Sequence, residues 1–142
     1  MWIFDTTRDK KLYNFILFLV RITIACFMLT HGLKKLDLLL SDDPVQFADP
    51  FGVGSVATLI LVIFAEVVCS ALLIIGLATR LVVLPLIVTM AVAVFMIHKT
   101  DGFERQELGS IYLLVYVFLL VTGSGKYSLE YLICRKRRKM FY

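Results

Sequence analysis

Two ionisable residues stand where hydrocarbon should be: Arg21 inside LYNFILFLVRITIACFML and Glu66 inside VATLILVIFAEVVCSALLIIGLA. A charge at the centre of a bilayer costs from about 3 to more than 10 kcal/mol, so such residues face a bundle interior and take a partner. The economical reading is that Arg21 and Glu66 pair with each other. On that reading they form a buried ion pair, a polar brace between the first and second apolar runs, and such a brace needs good geometry because desolvation offsets its attraction. The alternative is that Glu66 handles protons or ligand directly.

A second set of reactive types lies where apolar runs end. His31, Lys34 and Lys35 share a helical face by their spacing of three and four, His98 closes the third apolar run, and Glu107 opens the fourth. Imidazole and carboxylate exchange protons near neutral pH, and cations beside them would hold an anionic substrate or a quinone headgroup. His31, Lys34, Glu66, His98 and Glu107 are therefore the candidate ligand-binding or proton-handling residues. Interfacial solvation of helix ends is the plainer description of the same pattern. Tyr112 and Tyr116, one turn apart, are candidate pocket lining, and a buried Tyr116 hydroxyl would need a partner such as Glu66. No HxxxH or ExxH spacing places two metal ligands on one helix face, so no metal site is expected.

These residues require helices to position them. The 142-residue chain is 60% hydrophobic, well above the roughly 45–50% of soluble domains. Four segments reach the ~20 residues that cross a hydrocarbon core, giving expected helices of about 12–33, 55–78, 80–98 and 107–123. The fold class is all-α, a four-helix transmembrane bundle forming a single domain over 1–142. Between the first two helices, the apolar but punctuated stretch 34–54 is expected to lie on the interface. Pro85 falls one turn into helix three, where few hydrogen bonds are lost. Thr89 with Ala93, and Ala65 with Cys69, are small-x-x-x-small pairs that let helices approach closely.

The net charge of +4 is distributed by loop, which speaks for orientation rather than nucleic acid. Arg8, Lys10 and Lys11 precede helix one, Arg80 lies in the turn between helices two and three, and Lys126 and Arg135 to Lys139 follow helix four. The opposite loops dilute Lys34, Lys35, Lys99 and Arg105 with acids, among them Asp37, Asp42, Asp43 and Asp49. By the positive-inside rule both termini are cytoplasmic. The first run lacks a small-x-small cleavage site and reads as an uncleaved span. The basic tail 126–142 is expected to anchor topology against anionic headgroups. Just before it Gly123 and Gly125 stop helix four, and Ser128 then caps a short interfacial foot bearing Tyr127 and Tyr131. Cys26, Cys69 and Cys134 form no Cys-x-x-Cys pair and read as small packing residues, with a Cys26–Cys69 bridge the alternative.

Taken in order, HGLKKL, EVVCSALLIIGLATR, HKTDGFERQELGSIYLL and TGSGKYSLE resemble the DoxX family of small four-helix membrane proteins across almost the whole chain. The resemblance implies a membrane component of a redox system. One branch is similar to the membrane subunit of quinone-linked thiosulfate oxidoreductase, and others associate with enzymes that detoxify oxidative and thiol stress. It directs attention to His31, Gly32 and Lys34, to Glu66, Gly76 and Arg80, and to His98, Phe103 and Glu107. Where that family commonly has glycine after the helix-two glutamate, this chain has Cys69 and Ser70. The expected function is thus an oxidoreductase subunit of the bacterial inner membrane that binds a quinone or small redox substrate near the outer face. No haem, flavin or iron–sulfur motif is visible, so no intrinsic cofactor is expected and electrons would come from bound quinone or a soluble or membrane redox partner. A non-catalytic scaffold recruiting redox enzymes, and a small-solute transporter acting as a homo-oligomer, are the alternatives.

Overall fold

The computed structural model describes residues 9–42 and 44–140, the last four by backbone only. Arg8, Asp43 and the side chains of Arg137, Arg138 and Lys139, all used above to assign orientation, lie outside the described residues. Among the described residues four helices are long and apolar enough to cross a membrane: α1 Lys10–Leu40, α2 Ser55–Ile75, α3 Thr79–Ile97 and α4 Phe103–Thr122. A fifth, α5 Leu129–Met140, follows within the expected tail. The protein is an all-helical membrane bundle.

Asp9 starts α1 by accepting a hydrogen bond from the Lys11 amide at 2.8 Å. This satisfies one of the four amides that a helix start leaves unpaired. The buried residues Asn14, Leu17, Arg21, Ala25, Met28 and Gly32 then recur at intervals of three and four, a single stripe facing the other helices. At 1.5 Å per residue the 31 residues of α1 extend about 46 Å, beyond a ~30 Å hydrocarbon core. Helix therefore replaces the first part of the expected 34–54 loop, which shrinks to 41–54. Asp49 organises that remainder by accepting from the amides of Val53 and Gly54 and from the Thr58 hydroxyl.

α2 contains a π-helical stretch at Phe64–Cys69, and α3 ends in another at Ala93–Ile97. The wide π turn is rare and re-aims the side chains that follow it. α2 stops at Gly76 in the left-handed conformation (φ 69°), with Leu77 N–H donating to Leu72 O at 3.1 Å. That conformation costs any residue with a Cβ and suits glycine. α1 packs along α2, α3 pairs most closely with α4, and α1 scarcely meets α4. Between them lies a core that includes Leu17, Met28, Leu73, Leu86, Tyr116 and Leu119. Outward-facing Leu61, Leu81, Phe95, Leu114 and Val121 are each more than 60% exposed, as a lipid-facing surface requires. Of the cysteines, Cys69 is buried, Cys26 and Cys134 are exposed, and all three are free.

Candidate functional site

Arg21 and Glu66 do not pair. Arg21 donates from Nη1 to the carbonyl of Ser124 at 2.7 Å and from Nη2 to that of Tyr127 at 2.8 Å. Glu66 instead pairs with Lys35 through Oε1. The reason is the length of α1. Fourteen residues separate Arg21 from Lys35, a rise of about 21 Å, so the two cations serve opposite ends of the bundle. Arg21 sits beside Gly76 and Ser128, where a Cβ added at Gly76 would lie 2.7 Å from Arg21 Cζ and from Ser128 Cβ. It is the keystone of the foot end, locking the TGSGK turn onto α1, and Phe18 supports its guanidinium from 5.7 Å.

At the other end, Gly32 and the first π stretch bring Glu66 against α1. A Cβ at Gly32 would come within 2.9 Å of Glu66 Cβ and 3.0 Å of its carbonyl carbon. No residue larger than glycine fits that approach without displacement. Lys35 lies three residues beyond Gly32, on the continuation of the buried stripe, and its side chain is 28% exposed against 1% for Glu66. Its stem runs along apolar surface while the ammonium reaches the carboxylate. Glu66 Oε2 is buried without a hydrogen-bond partner, leaving half of the carboxylate for something else.

Two cavities meet at this pair. The first, of about 170 Å³, is the more polar of the two and lies among α1, α3 and α4, lined by His31, Lys35, Glu66, His98, Arg105 and Tyr112 among others. The second, of about 190 Å³, is apolar and lies between α2, α3 and the 41–54 segment, with Phe47, Pro50, Phe51, Leu61 and Val88 in its wall. Lys35, Glu66, Met90 and Ala93 line both. Each alone is small for a ligand site, and together they reach the lower end of the usual range of about 300–1,000 Å³.

The His31 ring stands edge-on to Tyr112, perpendicular at 6.1 Å, and Tyr112 lies 6.1 Å from Tyr116. His31 and Lys35 stand in the same cavity wall as Glu66. The second π stretch delivers His98, whose amide donates to Ala93 O at 2.9 Å. His98 Nδ1 is 2.8 Å from Asp101 Oδ2, and Arg105 donates to the same oxygen at 3.4 Å. The hydrogen bond with His98, then that from Arg105, holds the Asp101 carboxyl below the ordinary carboxylate range. Gln106 fastens the turn by donating to His98 O at 2.7 Å. A ring held at Nδ1 keeps its Nε2 for a ligand.

Of the candidates named from the sequence, His31, Glu66, His98 and Tyr112 thus share one cavity. Lys34 and Glu107 are exposed and line neither chamber. Tyr116 is fully buried, also lines neither, and its hydroxyl has no partner, so the expected bond to Glu66 is absent. Lys35, which the structure places at the centre, and Arg105 complete the polar lining. Only the buried stripe of α1, continued from Met28 through Gly32, distinguishes Lys35 from Lys34. Among the described residues no three His, Cys, Asp or Glu side chains group to hold a metal ion.

An uncharacterized protein of Haemophilus influenzae is 29% identical over 128 residues, covering 85% of this chain and 92% of its own length. No solved structure matches. The DoxX family model matches residues 16–99, a stretch that holds both π turns, the Lys35–Glu66 pair and His98. That match takes in more than half of the 142 residues, and the chain belongs to the DoxX family.

Proposed function

We propose that this protein is the membrane component of a redox system and binds a quinone across the Lys35–Glu66 pair. The observation that carries the reading is the shared wall. One ion pair borders a polar chamber and an apolar one, which suits a ligand with a polar ring and an apolar tail. In the polar chamber His31, His98, Tyr112 and the free Glu66 oxygen would hydrogen-bond the ring oxygens and hold or release protons beside them. Phe47, Phe51 and Leu61 would bed the tail. A bound quinone supplies the electron-accepting chemistry, and a soluble or membrane partner supplies the electrons.

The protein would lie in a bacterial cytoplasmic membrane with both termini inside, placing the two chambers toward the outer face. In support, Lys126, Arg135 and Lys136 gather at the opposite end of the bundle. Purification in mild detergent, followed by mass spectrometry of bound quinone, tests the proposal. His98→Ala and Glu66→Gln should each lower quinone occupancy while expression stays normal. Unchanged occupancy in both would reject it.

A further inference from the structure

The foot end has an opening of its own. A groove of about 520 Å³ opens between α1, the end of α2 and α5, with Phe18, Ile74, Ile75 and Leu132 as apolar wall and Arg21 and Lys126 as its cations. We propose that this groove binds one anionic phospholipid, an acyl chain lying on the apolar wall and the phosphate meeting Lys126.

Of the groove's two cations, Arg21 has a carboxylate acting on it, whereas Lys126, among the described residues, has no ion-pair partner. Arg21 is 1% exposed, its two terminal nitrogens are taken by the Ser124 and Tyr127 carbonyls, and its Nε is buried without a partner. The carboxylate whose charge acts on Arg21 is Glu130, and that group is engaged with the Thr79 amide at 3.3 Å. Lys126 is exposed, and its backbone is pinned because its amide donates to Asn14 Oδ1 at 2.9 Å. That hydrogen bond holds the Lys126 backbone at the edge of the groove, within reach of its ammonium. Arg135 and Lys136 follow on the exposed face of α5. Tyr127 and Tyr131, 51% and 38% exposed, are the types that lie at headgroup depth.

A free phosphate ion would meet Lys126 but gain nothing from the wall. Ile75 and Leu132, 49% and 58% exposed, become covered only when an acyl chain lies on them. Polybasic segments attract anionic leaflets generally, whereas this groove adds an apolar wall beside a cation whose backbone is held. A phospholipid here would also fasten α5 to α1 and α2 beside the Arg21 keystone.

The test is lipid retention by the full chain, delipidated in mild detergent and offered phosphatidylglycerol or phosphatidylcholine, with bound lipid counted by native mass spectrometry. The wild type should retain phosphatidylglycerol in preference. Lys126→Gln should weaken that retention about five-fold, and Leu132→Trp, which fills the groove, should abolish it. Each variant is first required to unfold at the wild-type temperature in phosphatidylcholine, and if Leu132→Trp does not, Ile75→Trp takes its place. Equal retention of the two lipids would overturn the proposal. So would competition by millimolar inorganic phosphate, or loss of retention on Arg135→Ala with Lys136→Ala but not on Lys126→Gln. Capture of a soluble protein through the foot, independent of lipid, would overturn it too.

Discussion

Removing Lys35 should harm the protein far more than neutralising its partner. The two charges are in contact, yet Glu66 is 1% exposed and Lys35 28%, so their fates after separation differ. At an effective dielectric of about 20, unit charges 4 Å apart attract by roughly 4 kcal/mol, and solvent access to Lys35 reduces this to roughly 2–3 kcal/mol. Lys35→Ala leaves a buried carboxylate with no cation in contact, and breaking a buried pair in this way costs about 3–5 kcal/mol. Glu66→Gln leaves a lysine that can turn toward the interface, which should cost only about 1–2 kcal/mol. The double variant Lys35→Ala, Glu66→Gln should recover part of the Lys35→Ala loss, giving a coupling of about 2–3 kcal/mol. Equilibrium unfolding in mixed micelles measures all four free energies. Equal costs for the two single variants, or simple additivity in the double, would refute the assignment of Lys35 as the partner of Glu66.

Three further outcomes follow from the same geometry. Gly32→Ala puts a Cβ within 3 Å of Glu66 and Val67, so overpacking should cost about 1–3 kcal/mol and lower quinone retention, read from unfolding and mass spectrometry together. Gly76→Ala combines a φ of 69° with collisions at Arg21 and Ser128, for a loss of about 2–4 kcal/mol and faster proteolysis of the TGSGK turn. Hydrogen bonds, the Gly54 amide's foremost, hold the Asp49 carboxyl below its ordinary value of 3.8. A depressed folded value means that its contribution is whole above pH 3.8 and is lost as pH falls through that lower value. Exchange protection of the Val53 and Gly54 amides should therefore persist at pH 3.8 and fall away at lower pH, and Asp49→Asn should remove the acid dependence.

The four spans were legible because runs of about twenty apolar residues have few other fates. The end of α1 was not, since Lys34, Lys35 and Asp37 resemble the close of a span. Yet the stripe through Asn14, Leu17, Arg21, Ala25, Met28 and Gly32 steps onward to Lys35 and passes Lys34 by. The partners of Arg21 were hidden for a different reason. They are backbone carbonyls at Ser124 and Tyr127, and no side-chain type announces a carbonyl. Nor were the π turns visible, because helices apolar on every side carry little periodic signal to be broken. Those two turns set the orientations of Glu66 and His98, so the residue types could be read from the sequence while their convergence could not.

The central claim is that one ligand spans the two chambers joined at Lys35 and Glu66. Photolabelling the purified full chain with an azido-quinone and sequencing the adduct peptides tests this most directly. Labelled residues should fall both in the Phe47–Val53 segment and among His31, His98 and Tyr112, and excess unlabelled quinone should suppress both together. Labelling confined to lipid-facing positions such as Leu114 or Val121, unaffected by that excess, would contradict the account.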